Sequence, residues 1–217
     1  FKIIESNDNL KFLDSEISIV TFPHQGGDSF CLTKIGDFSI LNINDCVIND
    51  KDDAERVSKC YKKYTNDINL LFTQFGYANW VGNKNEQETR KSSAEEKLNR
   101  ITFQIQKFTP DAMVPFASFI YFCDPENFHT NDCQNTPQNV LDHFEKNKFN
   151  SKLIVLKPWD KLNLAKDLNQ KVNERSFNIS HWAQLFSGIE PYASLESNSS
   201  LEEILETYKF YRKKIFR

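Results

Sequence analysis

The chain has 217 residues, of which 39% are hydrophobic and 26% charged, with a net charge of −3. That length buries a core of its own, so the composition speaks against disorder. The mild acidity speaks against a nucleic-acid binder, which needs a basic face to release counterions, and no apolar run reaches the ~20 residues that span a bilayer. The five cysteines (Cys31, Cys46, Cys60, Cys123 and Cys133) are odd in number and lack the Cys-x-x-Cys spacing of metal knuckles, which fits a reducing cytoplasm.

In chain order, β-type alternation predicts a strand over Ile17 to Phe22 and a hairpin of Ser29 to Ile35 and Phe38 to Asn44, turned by Gly36 and Asp37. Val57, Cys60, Tyr61 and Tyr64 recur at helical spacing and predict a helix over Asp52 to Tyr64; Ile68 to Thr73 then reads as a buried strand. A polar and aromatic loop, Gln74 to Asn85, precedes a long helix marked by Leu98, Ile101, Ile105 and Phe108 and stopped by Pro110. Ala112 to Phe116 is the next strand, followed by an irregular stretch to Asn135. Thr136 caps a helix begun by Pro137, and Lys152 to Leu156 is a further strand. From about Leu162 the sequence is mainly helical, with an amphipathic last segment, Leu201 to Tyr211. Strands alternating with helices after an opening hairpin predict an α/β fold, a layered mixed β-sheet flanked by helices. The chain reads as a single domain, 1–217, with residues 162–217 as a helical C-terminal extension.

In such sheets, function collects in the loops beyond the strand ends. His24 lies just past a strand and before Gly26 and Gly27; Asp45 ends the hairpin. A neutral imidazole and an ionised carboxylate at strand ends are ligands suited to zinc, manganese or iron. The loop from Gln74 combines amides (Gln74, Asn79) with Tyr77 and Trp80, a set able to stack on a sugar or base and bond its edges. Tyr121, Glu126, Asn127, His129 and Asn131 form a second polar group after the Ala112 strand. Asp160 reads as a helix cap, and His143, His181 and the cysteines as structural groups.

The ordered combination of Pro23-x-x-Gly26-Gly27-Asp28-Ser29 around His24, the hairpin ending in Asp45, and the stretches Ile40 to Cys46, Leu70 to Trp80 and Val114 to Phe119 resembles the second half of the metallo-β-lactamase superfamily, an αββα sandwich. The resemblance covers about Ile17 to Asp160. Within the superfamily it points to a branch of metal-dependent hydrolases, more distantly similar to the hydroxylase of a cytidine-monophosphate-linked sialic acid. It implies that His24 and Asp45 are metal ligands, Asp45 being also catalytic, and that the cofactor is a divalent metal, zinc first, with iron or manganese as alternatives. Gln74, Tyr77, Asn79, Trp80, Ser118, Tyr121, Glu126, Asn127 and His129 would line a small-molecule substrate.

Two departures qualify the resemblance. The superfamily's His-x-His-x-Asp-His motif is absent, which implies an upstream half-domain as partner, and its last ligand falls where this sequence has Ala117 and Ser118. Two protein ligands do not hold zinc tightly, so the isolated chain is expected to be metal-free or weakly loaded. The expected function of the whole protein is hydrolysis of a small sugar- or phosphate-containing substrate. Iron-dependent hydroxylation of a nucleotide-linked sugar, and a non-catalytic binding module with a degenerate metal site, are the alternatives.

Overall fold

The structure is a computed structural model that describes residues 9–12, 17–163, 168–192 and 200–215. Seven strands form one sheet: β1 (Asn9–Phe12), β2 (Ile17–Pro23), β3 (Ser29–Ile35), β4 (Phe38–Asn42), β5 (Leu70–Thr73), β6 (Ala112–Pro115) and β7 (Lys152–Leu153). They lie in sequence order, β1 to β4 antiparallel and β4 to β7 parallel. The mixed α/β layering expected from the sequence is present. The strand β1, which no periodicity had marked, extends the sheet by pairing Asn9 with Val20 and Phe12 with Ile17.

The parallel strands are joined by α1 (Lys51–Tyr61), α2 (Gln87–Phe108) and α3 (Pro137–Asn147). Sequential parallel strands with crossovers of one hand place all their helices on the same face. That face holds the main core: Val20, Phe22, Leu32, Leu41, Leu71, Met113 and Leu153 from the strands meet Val57, Ile101, Ile105, Val140 and Phe144 from the helices. Asp50 caps α1, its side chain accepting from Asp53 N. Thr136 caps α3 through a reciprocal box with Asn139, and Pro137 opens the helix. Both devices satisfy amides that have no partner inside the helix.

Four strands are shorter than the sequence predicts: β5 starts at Leu70 and β6 ends at Pro115, and β4 and β7 lose their last residues for a visible reason. β4 stops at Asn42 because Asn42 Oδ1 takes Asn44 N at 3.1 Å and Cys46 N turns back to Ile43 O at 3.0 Å. β7 stops at Leu153 because helix α4 (Leu168–Phe186) takes over the carbonyls that follow: Asn178 Nδ2 donates to Val155 O at 2.7 Å and Trp182 Nε1 to Leu156 O at 2.8 Å. Side chains therefore seal the edge that another strand would otherwise pair with.

The second face of the sheet is covered only in part. Leu70, Ala112, Val114 and Ile154 are buried there with Leu162 and Val172 beside them, while Ile19, Ile35, Phe38, Ile40 and Phe72 are partly exposed and Ile17 is exposed. The last helix, α5 (Leu201–Ile215), matches the amphipathic tail segment, and each of its residues from Leu201 to Lys209 is exposed. No described helix is long and apolar enough to cross a membrane.

Candidate functional site

The topology decides which loops share an edge. Because β2 runs parallel to β4 to β7, the chain leaves Pro23, Asn42, Thr73, Pro115 and Leu153 at one edge, and enters β3 there at Ser29. The His24 loop, the Asp45 turn, the Gln74 loop, Ala117-Ser118 and the Lys157 turn all spring from it, as expected for the carboxyl ends of a parallel sheet.

His24 sits in a tight loop, its backbone N–H bonded to Asp28 O at 2.8 Å across a 3-10 turn, Gln25–Gly27. Gly27 closes that turn at φ +88°, a conformation without cost only for glycine. Both ring nitrogens of His24 are shut off from solvent and neither has a hydrogen-bond partner among the described residues. An imidazole always carries at least one donor and, when neutral, one acceptor. Leaving both unmet inside a protein costs free energy, so the ring is poised for a partner outside this set of residues.

Asp45 is exposed and held from two sides: Gln74 Nε2 donates to its Oδ1 at 2.6 Å and Asn44 Nδ2 to its Oδ2 at 2.9 Å. Gln74 is in turn fixed by Lys97 Nζ, which donates to its Oε1 at 3.3 Å. Burial, with Arg100 close by, holds the Lys97 ammonium below its ordinary pKa, against the pull of Glu96 and Asp45. Beneath Asp45, burial and the charges of Asp28 and Asp45 push the Cys46 thiol up to about 12, so it is a neutral thiol at physiological pH. Burial likewise raises Cys31 and Cys133, and the described cysteines are all free. Cys31, Cys46 and Cys133 are therefore not activated nucleophiles.

The donors His24 and Asp45 suit a divalent metal in kind. They fall short in number, since no group of three or more His, Cys, Asp and Glu side chains among the described residues is arranged to hold an ion. His129 does not supply a third: its Nε2 lies 3.3 Å from Gly82 O.

The expected substrate wall is divided. Gln74 serves Asp45, as above. Tyr77 is buried, its hydroxyl donating to Thr130 O at 2.6 Å, and Ser118 is buried with its Oγ accepting from Phe75 N at 3.0 Å. Asn79 and Trp80 are exposed, and Tyr77 and Asn79 border a cavity of about 360 Å³ shared with α2. Glu126 and His129 border a separate cavity of about 600 Å³ with Asn83, Lys84 and Asn85. Tyr121 stacks on Phe186, and Asn127 is exposed, with its carbonyl accepting from Thr130.

Asp160 is not a helix cap. Its carboxylate closes the Lys157 turn, accepting from Lys157 N and Nζ, and reaches Asn178 on α4 at 3.0 Å. That turn carries Trp159 at φ +71° with its ring almost fully exposed. His143 is a partner of Thr102 at 2.7 Å, and His181 packs edge-on to Trp182.

Gln134 ties the aromatic loop down by bonding both Tyr77 N (3.1 Å) and Tyr77 O (2.6 Å). A Cβ on Gly76 would stand 2.7 Å from Gln134 Oε1 and 3.4 Å from Ser118 Cβ. Gly76→Ala is therefore expected to cost about 1–3 kcal/mol by displacing that amide, read as a lower urea midpoint. An unchanged midpoint would mean that Gln134 is not a fixed tie.

Residues that the sequence reading passed over include Lys97 and Arg100 on α2 and the buried Arg90 with Asp132. From Gln87 to Ser93 α2 has no apolar residue, so no apolar period singles out Arg90, and Lys97 and Arg100 are polar positions beside Leu98 and Ile101.

No family model matches the chain, and no curated protein matches it. Among solved structures it is similar to a mutant of CmlA beta-hydroxylase, with a TM-score of 0.43 and 11% identity over 70% of this chain. The chain spans about a third of that protein, 31% of its length.

Proposed function

We propose that this chain contributes His24 and Asp45 to a divalent-metal centre whose remaining ligands come from a further half-domain, and that the whole protein is a metal-dependent hydrolase of a small polar substrate. The observation that carries the proposal is His24, whose two ring nitrogens are buried and unmet at the sheet edge that also presents Asp45. The incompletely covered second face of the sheet, apolar along β2 to β5, is the surface on which a further layer would lie. Zinc is the first choice of ion, with iron or manganese as alternatives. Such an ion supplies Lewis-acid chemistry, suited to hydrolysis at a carbonyl or phosphoryl centre.

In this reading the chain's own residues do the positioning. The Gly27 turn fixes the His24 backbone, Asn44 and Gln74 fix the Asp45 carboxylate, and Lys97 fixes Gln74. The exposed Trp80 and Asn79, on the loop that leaves β5 at that edge, would offer a face to the substrate. The absence of a third ligand among the described residues favours a second reading, a binding module without catalysis.

Metal uptake decides between them. In the longest natural form, near-stoichiometric zinc, manganese or iron is expected, and His24→Ala and Asp45→Ala should each weaken it at least tenfold, which is roughly 1.4 kcal/mol. The present chain alone should bind weakly. Uptake indifferent to both substitutions would overturn the assignment. Iron loading coupled to oxygen consumption would replace hydrolysis with hydroxylation.

A further inference from the structure

The cavity of about 360 Å³ beside the Gln74 loop is lined by hydrogen-bond donors that the fold itself leaves unused. Its α2 wall carries Ser92, Ser93, Glu96, Lys97 and Arg100, and Asn79 faces them from the aromatic loop. Lys97 is half-buried, makes a single bond to Gln74 Oε1, and joins no ion pair among the described residues. Arg100 is only 7% exposed; its Nε and Nη2 both bond Glu96 Oε1, which leaves Nη1 uncommitted. The hydroxyls of Ser92 and Ser93 have no partner within the described residues.

Lys97 and Arg100 stand one helical turn apart; Glu96 is held by Arg100, and Lys97 feels Glu96 and Asp45 without forming an ion pair to either among the described residues. Burial and the neighbouring Arg100 disfavour the charged form of Lys97, and an anion in the cavity would offset both. Guanidinium, ammonium and hydroxyl donors together match the several acceptor oxygens of a tetrahedral dianion better than the two of a carboxylate. The volume lies within the range of small-ligand sites, roughly 300–1,000 Å³.

We infer that this cavity is a phosphoryl-binding subsite, with Lys97 as its principal ligand, Arg100 Nη1 and the Ser92 and Ser93 hydroxyls completing it, and that it anchors a phosphate-bearing small substrate. Lys97 links the subsite to the candidate metal edge through Gln74 and Asp45. Its role in a reaction rests on the metal-centre reading; the binding of phosphate does not.

The test is a titration of the 217-residue chain with inorganic phosphate at fixed ionic strength, followed by phosphorus NMR, with and without a chelator. Saturable binding at millimolar phosphate is expected, weakened roughly tenfold or more by Lys97→Gln and largely kept by Lys97→Arg. Ser93→Ala should weaken it by a smaller factor. No saturable binding, or binding indifferent to Lys97→Gln in a variant with the wild-type circular dichroism spectrum, would overturn the subsite. Binding abolished by the chelator would place the anion on a metal, overturning the cavity assignment and leaving the metal reading intact. Binding unaffected by the chelator supports the cavity whether or not His24 and Asp45 take up an ion.

Discussion

Replacing Arg90 with methionine is expected to destabilise the protein by about 3 kcal/mol, measured as a shift in the urea midpoint. Arg90 is 1% exposed on α2 and nearly every donor it has is used. Its Nε and Nη2 form a two-pronged pair with Asp132 at 2.7 and 2.8 Å, Nη1 donates to Asn83 O, and Nη2 also reaches Lys84 O at 3.2 Å. Methionine fills much of the volume but takes the guanidinium away from two loop carbonyls and a carboxylate; Asn83 O keeps Glu86 N and Asp132 keeps Gln87 Nε2, while the charge of Asp132 loses its partner. The loop that leads from Trp80 into α2 would lose its attachment to the 3-10 segment Phe128–Cys133, the two segments that border the cavity of Glu126 and His129.

The same pair sets an acid limit. The hydrogen bonds from Arg90 hold the Asp132 carboxyl well below its usual value, down to about 2 from 3.8, burial acting in the opposite sense. A carboxyl whose pKa is depressed on folding stabilises the native state above its unfolded pKa and ceases to do so as pH falls through the folded one. Stability should therefore decline between pH ~4 and ~2, by roughly 1–2 kcal/mol once solvent on the open side of the carboxylate is allowed for. Asp132→Asn should flatten that part of the curve. An undiminished decline in Asp132→Asn would assign the acid sensitivity to other carboxylates.

Trp182→Ala is expected to cost about 3–4 kcal/mol. The indole lies flat on Phe119 with ring centroids 3.9 Å apart, neighbours Phe186 at 5.9 Å, and bonds Leu156 O through Nε1. Phe119 in turn meets Phe75 edge-on at 5.1 Å, so the indole braces the two loops that carry the candidate site against α4. Trp182→Phe keeps the stack and abandons one carbonyl, and should cost only about 1 kcal/mol. Equal losses in the two variants would show that the hydrogen bond, rather than the stacked ring, holds α4 in place. The other two tryptophans, Trp80 and Trp159, are 69% and 97% exposed. The blue-shifted part of the emission therefore reports on Trp182 and follows the same titrations directly.

What the sequence determined by itself is the local content of the fold. Alternation marked β2 and β3; Thr136 and Pro137 marked the start of α3; Pro110 marked the end of α2, where Thr109 turns at φ +43°. These signals lie within a few residues of the elements they specify. So do the residue types gathered at His24, Asp45 and the Gln74 loop, because loops at strand ends keep their polar residues adjacent in the chain.

Tertiary structure decided everything that depends on register between distant segments. Where β4 and β7 end is settled by Asn42 turning back on its own loop and by α4 claiming the carbonyls of Val155 and Leu156. Asp45, Gln74 and Lys97 meet only because β4 and β5 pair in parallel and α2 crosses back over them. Arg90 is buried only because Asp132, 42 residues later, comes to it. No period in a polar helix reveals such a partner: the burial of an ion is fixed by what opposes it in space. His24 is the converse case. Its residue type and place were legible in the sequence, while its two unmet nitrogens became visible only when the surrounding chain was folded around them.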